Sequence, residues 1–113
     1  MHRTLAILEQ VASSDRPLTT AEINHNLNLP KATIHRLCSN LEDENFLQRE
    51  IDGKRFLPGI RLRKISLGVM SNEHFRTPRH AILMRLSKEV GETCNIAVPD
   101  GNQMRYLDRA ETH

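Results

Sequence analysis

Long apolar runs are missing from this sequence. Its unbroken hydrophobic stretches last only a few residues, whereas a membrane-spanning helix needs about 20. No segment has the charged, apolar and small-residue succession of a signal peptide. A soluble, cytoplasmic protein is therefore expected, with no membrane partner. Cysteine is scarce: Cys38 and Cys94 are the only two. That is too few for a disulfide framework, and neither has a Cys or His neighbour at metal-ligand spacing. Two buried or half-buried thiols in a reducing compartment are expected. Among the histidines, His2, His25, His74, His80 and His113 show no zinc-binding interval, so exposed or capping roles are expected, and no metal or cofactor. A strong surplus of one charge is also absent, with 16 Lys and Arg against 14 Asp and Glu. Net charge alone thus names no partner. With 113 residues, 38% of them hydrophobic, the chain can build one modest core or two small ones.

What is present centres on Thr19 to Asn45. Thr19 followed three residues later by Glu22 forms a capping box, so a helix should start near Thr20. Ile23 and Leu27 share one face of it. Asn28-Leu29-Pro30 should end it, because the residue before a proline is pushed out of helical geometry, and Pro30 suits the first position of a second helix. There Ile34, Leu37, Cys38 and Leu41 recur at i, i+3, i+4 and i+7 and form one inward stripe. Lys31, Ala32, Thr33, His35, Arg36, Ser39 and Asn40 remain outside.

That outward set matches the chemistry of a DNA groove. Lys31 and Arg36 can pair with phosphate or with the O6/N7 edge of guanine, Thr33 and Ser39 donate and accept, and Ala32 can meet a thymine methyl. No acid lies between Lys31 and Asn40, whereas Glu42, Asp43 and Glu44 follow together. The helix is thus polarised, its beginning suited to a polyanion and its end repelled by one. From Met1 to Gly59 seven basic residues stand against eight acidic ones. Placement on Lys31, Arg36, Arg49, Lys54 and Arg55, not total charge, supports the DNA reading. An enzyme is not expected. His35 and Cys38 stand at i, i+3, but Cys38 belongs to the apolar stripe and no third group orients the histidine.

Ahead of this pair, Leu5, Ile7, Leu8 and Val11 outline a helix that Asp15-Arg16-Pro17 ends, and Leu18 can act as a hydrophobic staple. After it, Asn45 stands where a left-handed cap is needed. The runs 46–51 and 54–57 flank Asp52-Gly53, a strong signal for a β-hairpin. Three helices and a hairpin make a winged helix-turn-helix over residues 1–58. Lys54 and Arg55 at the hairpin tip can reach phosphates or the minor groove. Residues 60–74 read as one helix whose Leu62, Ile65, Leu67, Val69 and Met70 cover too wide an arc for a lone surface helix. The segment 59–76 is therefore assigned as a linker and dimerisation element. Gly68 inside it costs about 1 kcal/mol relative to alanine and is expected to permit a close approach or a bend. Thr77-Pro78 signals a new helix, which stops at Gly91. Cys94, Ile96 and Val98 alternate, Pro99 to Asn102 is a turn, and Met104, Tyr106 and Asp108 should share a face of the next strand. A helix and one hairpin are too little for a domain, so residues 77–113 read as a second unit cut short, with an exposed sheet edge.

RTLAILEQVA, LTTAEINHNLNLPKATIHRLCSNLEDENFL, LGVMS and GETCNIAVPDGNQMRYLDRAE follow in order the pattern of the IclR family of bacterial transcriptional regulators, which nearly the whole chain resembles. LPKATIHRL, with the glutamate-rich turn into Phe46-Leu47, is the most specific part. Asn45 departs from the glycine usual before that Phe. The resemblance implies an α+β chain: a winged helix-turn-helix, a linker helix, and the first helix and hairpin of a truncated α/β effector-binding domain. It further implies dimers or dimers of dimers on palindromic operators, and control of catabolic operons by a small organic effector bound by the full-length protein. By the same resemblance the helix-turn-helix spans about Thr19 to Cys38, with Lys31 to Arg36 as its base-facing turn.

The expected division of labour assigns phosphates to Thr20, Lys31 and the wing cations Lys54 and Arg55. Bases fall to Arg36 first, then Thr33, His35, Ser39 and Ala32, with Asn40 on the same outer edge. Two other classes compete. A winged helix that binds only protein would show no steep salt dependence, and a free-standing ligand sensor would answer to small organic acids.

Overall fold

The computed structural model describes residues 2–111; His113, among the histidines weighed above, lies outside them. The chain divides into two compact units, Met1–Ile65 and Ser66–His113. In the first, α1 (His2–Ala12) precedes β1 (Leu18–Thr19), α2 (Thr20–Asn24), α3 (Lys31–Asp43), β2 (Leu47–Arg49) and β3 (Arg55–Pro58), and α4 (Ile60–Met70) begins within it. Ile7 and Val11 of α1, Ile23 of α2, Ile34, Cys38 and Leu41 of α3, and Leu18, Leu47 and Phe56 of the strands form one buried cluster. Each helix thus contributes the face its apolar spacing dictates. Leu5 is the exception. It is 49% exposed, because α1 turns only the Ile7 and Val11 side fully inward.

The hairpin becomes a three-stranded antiparallel sheet of order β1-β3-β2. Leu18 pairs opposite Phe56, so it joins the sheet, and it shares the buried cluster with Ile23 of α2. α2 is shorter than its spacing suggests. It ends at Asn24, because the Asn24 side chain bonds both the amide and the carbonyl of Leu29 at 2.8 Å. Asn28 then takes a left-handed φ of 53°. Pro30 is the N-cap of α3 rather than its first residue, and its extended backbone lets its carbonyl accept from Thr33 and Ile34.

The second unit holds the rest of α4, α5 (Glu73–Val90) and the hairpin of β4 (Cys94–Asp100) with β5 (Gln103–Ala110). Here the helix expected over 60–74 divides. α4 stops at Met70, and Asn72 caps α5 by accepting from the His74 amide at 3.0 Å. Glu73 suits the positive end of α5. Pro78 therefore lies inside α5, not at its start. In that second turn its missing N–H removes only the bond that the His74 carbonyl would accept. Gly91 ends the helix at φ 74°, as its position predicts. A β-bulge spoils the expected strand face: Ile96 pairs with Asp108 but Ala97 with Tyr106, leaving Leu107 as the extra residue. The alternation shifts there, so Met104 and Tyr106 are exposed while Asp108 is buried.

Candidate nucleic-acid interface

The candidate interface comprises α2, α3 and the wing, the hairpin formed by β2 and β3. The capping box at Thr19 is present in both directions: its side chain accepts from the Glu22 amide, and the Glu22 carboxylate accepts from the Thr19 amide. Arg16 forms an ion pair with the same carboxylate. Hydrogen bonding from Arg16, then from the Thr19 amide, lowers the Glu22 pKa to about 2. Thr20, the first residue of α2, is half-buried, with its hydroxyl 3.5 Å from Nε2 of His35. That contact joins two of the expected site residues across the helix-turn-helix.

Along α3, Lys31, Ala32, His35, Arg36, Ser39 and Asn40 are exposed and Thr33 is half-buried, while Ile34, Cys38 and Leu41 are buried. Its first turn has neither a side-chain cap nor an acid. The C-terminal end is closed by a Schellman arrangement around Asn45 at φ 64°: the Phe46 amide donates to Leu41 and the Asn45 amide to Glu42. Cys38 is poorly placed as a nucleophile: burial pushes its thiol up to about 11, with Arg49 opposing the shift.

Two of the three acids at the end of α3 have partners. Glu42 pairs with Arg49 at 3.0 Å and Glu44 with Arg61 at 3.1 Å. Arg61 also lies over the Phe46 ring, 4.3 Å from its centroid. Among the described residues neither Lys31 nor Arg36 belongs to an ion pair. Two cations at the wing depart from expectation. Arg49 is held by Glu42, so it is not a free base. Arg55 pairs with Asp52 at 3.0 Å. The Lys54 amide donates to that same Asp52, and this bond, followed by the Arg55 contacts, outweighs burial and lowers the Asp52 pKa. The Lys54 side chain is exposed, as is Ile51, which sits in the tip rather than in a strand.

Sequence reasoning missed Asn24, whose amide fixes the turn between the helices. The only hint was an asparagine in the last turn before Asn-Leu-Pro. It also missed a pair in the second unit, His80 Nδ1 at 2.8 and 2.9 Å from the Asp108 carboxylate oxygens. Burial pushes that carboxyl up, but His80, the Arg109 amide and Arg76 together bring it below its ordinary value. The described residues contain no group of three potential metal ligands and no helix long and apolar enough to cross a membrane.

Three helices, a short third strand and a hairpin carried beside an exposed helix edge define a winged helix-turn-helix protein. The IclR helix-turn-helix domain model matches residues 2–50. The probable transcriptional regulator SauR of Cupriavidus necator is 36% identical over 110 residues, covering 97% of this chain and 44% of that protein. The transcriptional repressor IclR of Escherichia coli is 28% identical over 98 residues, covering 87% of this chain and 36% of its own length. Among solved structures, Thermotoga maritima IclR matches at 25% identity and a TM-score of 0.59, over 98% of this chain and 44% of that one. An IclR homolog from Microbacterium hydrocarbonoxydans complexed with 4-hydroxybenzoate matches at 27% identity and 0.61, over 98% and 46%. The chain belongs to the IclR family, and it spans less than half the length of the relatives cited.

Proposed function

We propose that this chain is the DNA-binding part of a cytoplasmic transcriptional regulator that docks α3 in the major groove and the wing beside it. One observation carries the reading. Among the described residues Arg36 stands exposed on the outer edge of α3 without an ion-pair partner, while Glu42 and Glu44, which could have neutralised it, are held by Arg49 and Arg61. An unneutralised guanidinium on a groove-sized helix suits bidentate bonding to guanine. Lys31 at the open first turn, Thr20 and Lys54 position the protein on phosphates. Arg55 joins them only by exchanging Asp52 for a phosphate. Thr33, His35, Ser39, Asn40 and Ala32 complete the base-facing edge.

A homodimer, or a dimer of dimers, sets two copies of α3 in successive major grooves about 34 Å apart, which requires an inverted-repeat operator. α4 serves as the linker and dimerisation helix in this reading, supported by its lack of any buried residue and its exposed Ile65, Val69 and Met70. The full-length regulator answers to a small organic metabolite that governs a catabolic operon, a reading supported by the 4-hydroxybenzoate complex of the Microbacterium homolog.

Selection of bound sequences from a random duplex pool at two salt concentrations tests the proposal, and an inverted repeat is the expected product. On that sequence Arg36→Ala should cost about 1–3 kcal/mol and blur the base preference, whereas Lys54→Ala should weaken all sequences alike and flatten the salt slope by about one unit. Identical behaviour of the two variants on matched and scrambled duplexes would refute the division of labour. Affinity for a protein partner without salt-dependent duplex binding would favour an interaction module.

A further inference from the structure

Arg49 reads in the sequence as one more wing cation, but its geometry gives it a different task. Its Nε lies 3.2 Å from each oxygen of the Glu42 carboxylate and its Nη2 3.0 Å from Oε1, which ties β2 to the last turn of α3. Nη1 donates to the Gly53 carbonyl at 2.9 Å, at the wing tip. The guanidinium also lies over the buried Phe56 ring, 4.5 Å from its centroid. One side chain therefore joins the recognition helix, the sheet core and the tip. The fork is used on both faces of contact, and its charge is met by Glu42, so little remains for a phosphate.

The peptide that joins Gly53 to Lys54 is pinned at both ends: Arg49 holds its carbonyl oxygen, and Asp52 Oδ1 accepts from its N–H at 2.9 Å. Fixing that plane fixes the position of the Lys54 Cα, the root from which its side chain leaves the wing. We propose that Arg49 is a positioning residue, a brace that sets Lys54 against α3 for DNA and makes no DNA contact itself. The proposal rests on the DNA reading above.

Operator titrations across salt test it with Arg49→Lys and Glu42→Gln, each alone and combined with Lys54→Ala. Arg49→Lys keeps the charge but loses the fork. The expected result is a lower affinity and a salt slope flatter by about one unit, as for Lys54→Ala, with little further loss in the double variant. Glu42→Gln should also weaken binding, although it removes a negative charge that a polyanion would repel. Additive losses for Arg49→Lys and Lys54→Ala, an unchanged slope in Arg49→Lys, or tighter binding by Glu42→Gln would each overturn the brace. Amide hydrogen exchange gives a readout independent of DNA. Gly53 and Lys54 should exchange faster in Arg49→Lys, while Ile34 and Cys38 in the core stay protected. Unchanged exchange at Gly53 and Lys54 overturns the brace even where DNA binds. A wild-type chain without salt-dependent duplex affinity sinks the DNA reading, and with it the purpose assigned to Arg49.

Discussion

At the residue scale, the same side-chain type does opposite things according to what surrounds it. Cys38 and Cys94 are both free thiols, but Cys38 is completely shielded in the α3 stripe and Cys94 only half-buried at the start of β4. The nucleophile is the thiolate, and burial keeps Cys38 from forming it. Iodoacetamide at about pH 8 should therefore add one label rapidly, at Cys94, and label Cys38 only on unfolding; two equally fast additions by mass spectrometry would contradict the packing of α3. The arginines diverge in the same way. Among the described residues Arg36 has no ion-pair partner, Arg49 and Arg61 are spent on carboxylates and rings, and Arg63 donates to the Pro58 carbonyl and to Gln48 Oε1 at 2.8 and 3.2 Å. Spacing showed which of them leave the core. It could not show which would be captured, because capture depends on an acid brought near by the fold.

At the element scale, caps were legible and breaks were less so. Thr19 with Glu22, Asn45, Gly53 and Gly91 each signal a terminus or turn through local chemistry, and each acts as one. The division of 60–74 into α4 and α5 was not legible. Thr77-Pro78 is the stronger start signal by composition, but Asn72 accepts the first-turn amide and the helix begins there instead. Gly68 was expected to allow a close approach or a bend, and a Cβ there would meet nothing within 4 Å among the described residues, so no close approach within the chain requires it. Gly59 carries the steric constraint instead. An added Cβ would lie inside van der Waals contact of the Asn45 carbonyl oxygen and 2.8 Å from the Leu47 amide nitrogen. The backbone cannot yield easily there, because the Gly59 amide donates to Phe46 and the Arg61 amide to Asn45. Gly59→Ala should lower the stability of the first unit by about 1–3 kcal/mol through backbone displacement, with Gly68→Ala neutral or stabilising by denaturant titration. Equal costs at both glycines would show that the corner between α3 and α4 is loose.

At the scale of the whole molecule, the two units differ in what supports them. Among the described residues, the first buries nine hydrophobic residues in one cluster, including Phe56, Ile7 and Ile23. The second buries Leu83, Leu107 and Ala110 with the polar Ser87 and Asp108, and leaves Phe75, Ile82, Leu86 and Val90 exposed on α5. Local stability follows buried apolar contact. Native-state amide exchange should therefore show the β4–β5 hairpin and α5 opening at lower free energy than the α1–α3 core, and uniform protection through both units would disprove the difference. The sequence alone determined the helical stripes, the caps, the wing and the exposed edge that reads as a DNA-facing surface, because these follow from periodicity and short-range hydrogen bonding. Tertiary structure decided the third strand at Leu18, the bulge at Leu107, the burial of Asp108 against His80, and which arginines remain available. Each of those depends on a partner distant in sequence, and only folding brings that partner within bonding distance.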